Sequence, residues 1–97
     1  MSVTMDFCAF SMEDSSKSEE VAKIIKWLDK KGYTYKLGAM GTSVETKTMK
    51  EALKVLDKAN KLIDKKRVYI VAKFDIYKGR KDALKHKVKS VKEKLDN

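Results

Sequence analysis

A short turn bounded by glycines, Gly38-Ala39-Met40-Gly41, joins two halves of this chain that each read strand, helix, strand. This doubling is what most restricts the fold. Val3 to Met12 alternates as a strand, with Asp6, Cys8 and Phe10 on one side and Met5, Phe7 and Ala9 on the other. Glu13 to Lys17 is a polar connector, and Ser16 or Ser18 is placed to cap the helix that follows. Glu19 and Glu20 in the first turn suit the helix dipole, while Val21, Ile24, Ile25 and Leu28 form an apolar stripe. Gly32 is placed to end the helix before a second strand, Tyr33 to Leu37.

The second half repeats the pattern. Thr42 to Thr46 is a third strand, and Thr48 begins a helix. Met49, Ala52, Leu53, Leu56, Ala59 and Ile63 are expected on its apolar face, opposite Lys47, Lys50, Lys54, Lys58, Lys61 and Lys65. Arg67 to Tyr77, rich in β-branched and aromatic residues, is the fourth strand. A last helix is expected over Arg80 to Leu95, with a narrow seam of Leu84, Val88, Val91 and Leu95 suited to docking on a neighbour or another subunit.

Right-handed crossovers then predict an α+β, ferredoxin-like βαββαβ sandwich plus a C-terminal helix. Its four-stranded antiparallel sheet carries both crossover helices on one face. The first and third strands are central, and the second and fourth are edges. The open face and the edges call for protection, so a homodimer or homotetramer is expected, with the last helix covering part of that surface.

At 97 residues the chain reads as a single domain, 1–97, large enough to hide roughly two-thirds of its unfolded surface. A 42% hydrophobic and 38% charged composition describes a globular protein. No stretch resembles a signal peptide or a membrane span, and the lone Cys8 forms no internal disulfide, so a cytoplasmic protein is expected. The net charge of +9 comes almost wholly from lysine, with Arg67 and Arg80 the only arginines. Base reading and bidentate phosphate clamping favour arginine, so nucleic acid is not the expected partner. Lysine mixed with acidic residues is also a composition of heat-adapted proteins, and the lysine row on the second helix fits a solvated face.

No catalytic constellation stands out, and the chain reads as a protein that is not an enzyme. His86 stands alone on a lysine-rich helix, and Cys8 lies within a strand without a CxxC partner, so each reads as structural. Metal carriers of this topology bear CxxC at the first loop, and acylphosphatases need a glycine-rich, arginine-bearing loop there. Here that loop reads Ser11-Met-Glu-Asp-Ser15. No metal or cofactor site is expected. Trp27, Tyr33 and Tyr35 read as packing residues. Four charged residues fall inside strands: Asp6, Glu45, Lys73 and Asp75. Charge on a strand marks a solvated face or a site.

Leu37-Gly38-Ala39-Met40-Gly41-Thr42 resembles the Leu-x-Pro-Met-Gly-Thr signature of the small thiamine-binding (YkoF-like) proteins. Asp6 matches an acid in that family's opening strand, Tyr33 and Tyr35 precede the signature as they do there, and Glu45 matches the acid that follows it. Lys66-Arg67-Val68-Tyr69 and Lys73-Phe74-Asp75 are similar to its last strand, and Lys87-Val88-Lys89-Ser90-Val91 to its final helix. Ala39 stands where the signature has proline, and Ser11 where a proline ends the first strand.

The resemblance implies a ferredoxin-like protein that binds thiamine or its hydroxymethylpyrimidine half without chemistry, assembled as dimers of dimers through its sheets. The ligand residues it points to are Asp6, Met40, Gly41, Thr42 and Glu45, with Lys73 and Asp75 beside them. Thr42, the main chain at Gly41 and a carboxylate such as Glu45 would answer the donor and acceptors of an aminopyrimidine. The alternative is an oligomeric structural or polyanion-binding module that keeps the fold without the ligand.

Overall fold

The computed structural model describes residues 1–13, 16–79 and 83–95, with side chains left undescribed for 83–87. Seven elements follow in the order β1 (Ser2–Ser11), α1 (Lys17–Lys30), β2 (Thr34–Leu37), β3 (Thr42–Thr46), α2 (Met49–Leu62), β4 (Val68–Tyr77) and α3 (Ala83–Leu95). The strands form one antiparallel sheet in the order β2-β3-β1-β4, the ferredoxin-like arrangement with β1 and β3 central.

Alternation along β1 decides which face is the core. Val3, Met5, Phe7 and Ala9 are buried beneath α1 and α2, while Thr4, Asp6, Cys8 and Phe10 face the other side. Val44 from β3, Ile24 and Leu28 from α1, and Ala52, Val55, Ala59 and Ile63 from α2 complete that core. Burying a Val, Ile or Leu side chain contributes about 1.5–3 kcal/mol, so this cluster is the main source of stability. The expected α2 stripe needs one correction. Leu53 is 51% exposed, and Val55 occupies the buried position. The small Ala52 and Ala59 let α2 approach the sheet along the row that includes Val55.

Both crossover helices start from caps written in the sequence. Ser16 accepts from the Glu19 amide, and Thr48 accepts from the Glu51 amide. At the C-terminus of α1, Gly32 takes φ 76°. Its amide reaches the Asp29 carbonyl at 3.1 Å, and the Tyr33 amide reaches the Leu28 carbonyl at 3.0 Å. That pair of bonds is a Schellman ending, and it requires the left-handed conformation glycine adopts at least cost. Trp27 and Tyr33 pack ring against ring at 5.3 Å beside the core, as packing residues should.

After β4 the chain returns as α3, which approaches β1 and β3 on the face away from α1 and α2. It covers part of the open face. Val88 is half-buried, whereas Val91 and Leu95 are exposed. The expected start of this helix at residues 80–82 lies outside the described residues, as do the side chains of Leu84 and His86.

Candidate functional site

The β2–β3 turn is closed by one hydrogen bond, from the Gly38 amide to the Gly41 carbonyl at 2.8 Å. Gly41 does not need positive φ; of the two roles open to it, close approach is the one it serves. A Cβ built on Gly41 would lie 3.0 Å from the Phe7 carbonyl oxygen and 3.3 Å from Asp6 Oδ1. The start of β3 is thereby held against β1, with Thr42 paired to Phe7 on one side and Leu37 on the other.

Beside this turn lies a half-open cleft of ≈ 220 Å³ at the end of the sheet where β1 finishes. Phe7 and Ala9 of β1 form one wall, and Val21 and Ile24 of α1 form another. Leu37 to Thr42 form the third, with Met40 at the tip, 91% exposed. Lys17 borders the cleft at the start of α1. Its ammonium donates to the Ser11 carbonyl at 2.6 Å, the Ser11 hydroxyl at 3.1 Å and the Glu13 carbonyl at 2.9 Å. The Ser11 amide donates to Glu20 Oε1 at 2.9 Å, and Glu20 is only 6% exposed. These bonds fix the β1–α1 corner that frames the cleft.

The expected ligand residues separate into two groups. Met40, Gly41 and Thr42 line the cleft. Asp6, Glu45, Lys73 and Asp75 belong to the opposite face of the sheet. There Asp6 accepts from the Ser43 hydroxyl at 3.3 Å and stands across from Lys73, while Asp75 stands across from Thr4. Glu45 accepts from the Ser2 hydroxyl at 2.9 Å and lines a separate, larger depression of ≈ 740 Å³ with Tyr33 and Glu51 at the far end of the sheet. Thr42 and Glu45 are therefore not brought together: three residues along a strand is about 10 Å and a change of face. Asp6 comes nearest to joining the groups, through its approach to Gly41.

Phe7, Ala9, Lys17, Val21 and Ile24 line the cleft without having been singled out as ligand residues. Val21 and Ile24 were visible as a helical stripe, but only the docking of α1 turns one end of that stripe toward the turn. On the open face, Thr4 Oγ1 is buried with no hydrogen-bond partner among the described residues.

Two phenols titrate high. Burial raises the Tyr33 pKa above the ordinary 10.0, helped by its hydrogen bond to Glu51 and that carboxylate's charge. The Tyr35 pKa is raised by desolvation first and then by Asp29. Neither belongs to the cleft.

Residues 4–92 match the model of the thiamine-binding protein family. The chain belongs to that family. Its fold is similar to that of an uncharacterised protein from Methanocaldococcus jannaschii, with 26% identity, a TM-score of 0.80, and coverage of 95% of this chain and 97% of the other. A domain of unknown function from Bacillus cereus is 23% identical, with a TM-score of 0.77 over 90% of this chain and 86% of that one. A candidate thiamine biosynthesis or salvage protein from Thermotoga maritima is 19% identical, with a TM-score of 0.76 over 93% and 99%. The last two likenesses speak for the fold alone. No curated protein matches the sequence. Among the described residues, no helix is long and apolar enough to cross a membrane.

Proposed function

We propose that the protein binds thiamine or its hydroxymethylpyrimidine half in the cleft beside the Met40–Thr42 turn, without chemistry on it, as a cytoplasmic homo-oligomer. The observation that carries the reading is that the family's Met-Gly-Thr segment borders a cleft with apolar walls. A flat heterocycle would rest against the apolar walls of that cleft, with Met40, exposed at its tip, free to fold over the ligand's edge. Thr42 and main-chain groups at the turn supply the few polar contacts such a site needs to orient its ligand.

Titration calorimetry with thiamine and with hydroxymethylpyrimidine tests this directly. Heat from at least one ligand, with a matching rise in melting temperature, is the expected result. No heat from either at millimolar concentration overturns the reading.

Assembly has its own support. The edge strand β4 presents Tyr69, Val71, Phe74, Ile76 and Tyr77, all exposed and drawn from both of its faces. An apolar edge of that length is a template for pairing with another chain. A second copy that covers it leaves the cleft, at the other side of β1, open to ligand.

A further inference from the structure

We propose that the outer edge of β2 takes up an extended peptide segment of a partner protein, one that alternates apolar with acidic residues, as a further strand of the sheet. The inference goes beyond the ligand reading above and does not depend on it. β2 ends the sheet on the side away from β4, and among the described residues only β3 pairs with it. The Gly38 amide bonds to the Gly41 carbonyl, and the same register sets Lys36 opposite Ser43 and Thr34 opposite Glu45. Bonded and non-bonded pairs alternate along an antiparallel ladder. Thr34 and Lys36 therefore turn their amides and carbonyls toward β3, and Tyr35 and Leu37 turn theirs outward, where a new strand can bond to them.

The side chains along this edge suit such a strand. Tyr35 stands opposite the buried Val44 and Leu37 opposite the buried Thr42, so both project on the helix side of the sheet. There an open groove of ≈ 710 Å³ runs between β2 and α1, with Val21, Ala22 and Ile25 along its helical wall. Tyr35 donates to Asp29 at 3.3 Å from strand to helix, and Leu37 is 56% exposed. A strand paired with β2 places alternate side chains in this groove, and apolar ones match its wall. The side chain between them falls on the other face, beside Lys36.

Lys36 decides the charge of the partner. It is exposed, with Ser43 directly across from it, and the diagonal Glu45 accepts from the Ser2 hydroxyl. The groove carries both signs, Lys17 and Lys26 with Asp29, so the preference rests on the strand and on the chain's net charge of +9. An acidic residue opposite Lys36 completes a cross-strand ion pair. A second copy of the chain is disfavoured by the same residue. The symmetric register that uses every outward group of Tyr35 and Leu37 sets one Lys36 directly against another.

The probe is a blocked peptide of about five residues alternating valine and glutamate, long enough to span β2. It is titrated into the nitrogen-labelled chain with amide shifts read by NMR, beside the same residues in block order and an alternating valine–lysine peptide. Saturable shifts are expected at Tyr35, Leu37 and the α1 wall, with the alternating acidic peptide binding at least about threefold more tightly than either control. Lys36→Glu lies outside the core and the ligand cleft and should reverse the choice between the glutamate and lysine peptides. Ala22→Tyr, at an exposed helix position, fills the groove and should weaken both. No shift at the β2 edge with millimolar peptide overturns the inference. So does equal binding of the block-order peptide, an unchanged preference in K36E, or unchanged binding in A22Y. Slow solvent exchange of the Tyr35 and Leu37 amides in the free chain, lost on dilution, shows a second copy on this edge and overturns it too. Each of these results leaves the ligand reading standing.

Discussion

Replacing Gly41 with alanine tests the central geometric claim, that β3 starts where it does because a side chain is absent. The new Cβ would sit 3.0 Å from the Phe7 carbonyl oxygen. That oxygen is main chain in a central strand, and Phe7 is paired to Thr42 on one side and Ala72 on the other. It has no flexible end with which to yield. Asp6 Oδ1, at 3.3 Å, can rotate away only by giving up its bond from Ser43. The strands must therefore separate by a few tenths of an ångström, an overpacking strain that costs about 1–3 kcal/mol. Against this, alanine restricts the unfolded chain and returns about 0.4–1 kcal/mol. The net runs from about zero to a loss of about 2.6 kcal/mol, a fall in Tm of up to about 20 °C for a domain of this size. Urea melts of G41A beside Gly79→Ala make the comparison, since a Cβ at Gly79 meets only the Tyr77 ring at 3.6 Å. G41A should also weaken ligand binding, because the displaced strand carries Thr42. A G41A protein as stable as G79A would refute the close-approach argument.

Three further outcomes are expected. Glu20→Ala strands the buried Ser11 amide and should cost about 1–3 kcal/mol by chemical denaturation, with Glu20→Gln recovering most of it because an acceptor remains. Tyr33 has a folded-state pKa above its unfolded value, so its stabilising contribution is present below the ordinary pKa and is lost as pH rises through the folded one. Urea midpoints compared at about pH 9 and about pH 11 should show a smaller alkaline loss in Tyr33→Phe than in the native chain. Val71→Lys combined with Ile76→Lys places charges on both faces of the β4 edge. Light scattering should then report a single-chain mass where the native protein gives a multiple of it, and a native protein already of single-chain mass refutes the assembly reading.

The sheet and its strand order were legible because alternation in β1 and β3 is nearly unbroken and the two halves repeat one plan. The caps at Ser16 and Thr48 and the ending at Gly32 follow local rules and were legible for the same reason. The face of α2 was less so. Leu53 and Val55 both fit a helical period beside Ala52 and Leu56, and only the approach of the helix to the sheet decides which is buried. The division of the expected site was available in principle. Thr42 and Glu45 differ by an odd number of positions within one strand, which assigns them to opposite faces before any coordinates are known. What no local pattern supplied is the α1 wall of the cleft, because Val21, Ile24 and Lys17 meet the turn only once the crossover is folded.

The cleft also shows how a chain with no proline keeps two corners fixed. Proline sets φ and removes an amide donor. Ser11 does neither, so its amide needs a buried acceptor, and Glu20 provides one. Its carbonyl and hydroxyl are taken by Lys17, which ties the end of β1 to the first turn of α1 from the other side. At Ala39 the compensation is different: the turn is closed across its base, Gly38 to Gly41, so the residues between are spanned by a hydrogen bond. The group that ties the first corner is thus a side chain of the cleft wall, so the contact that secures the fold also shapes the cleft.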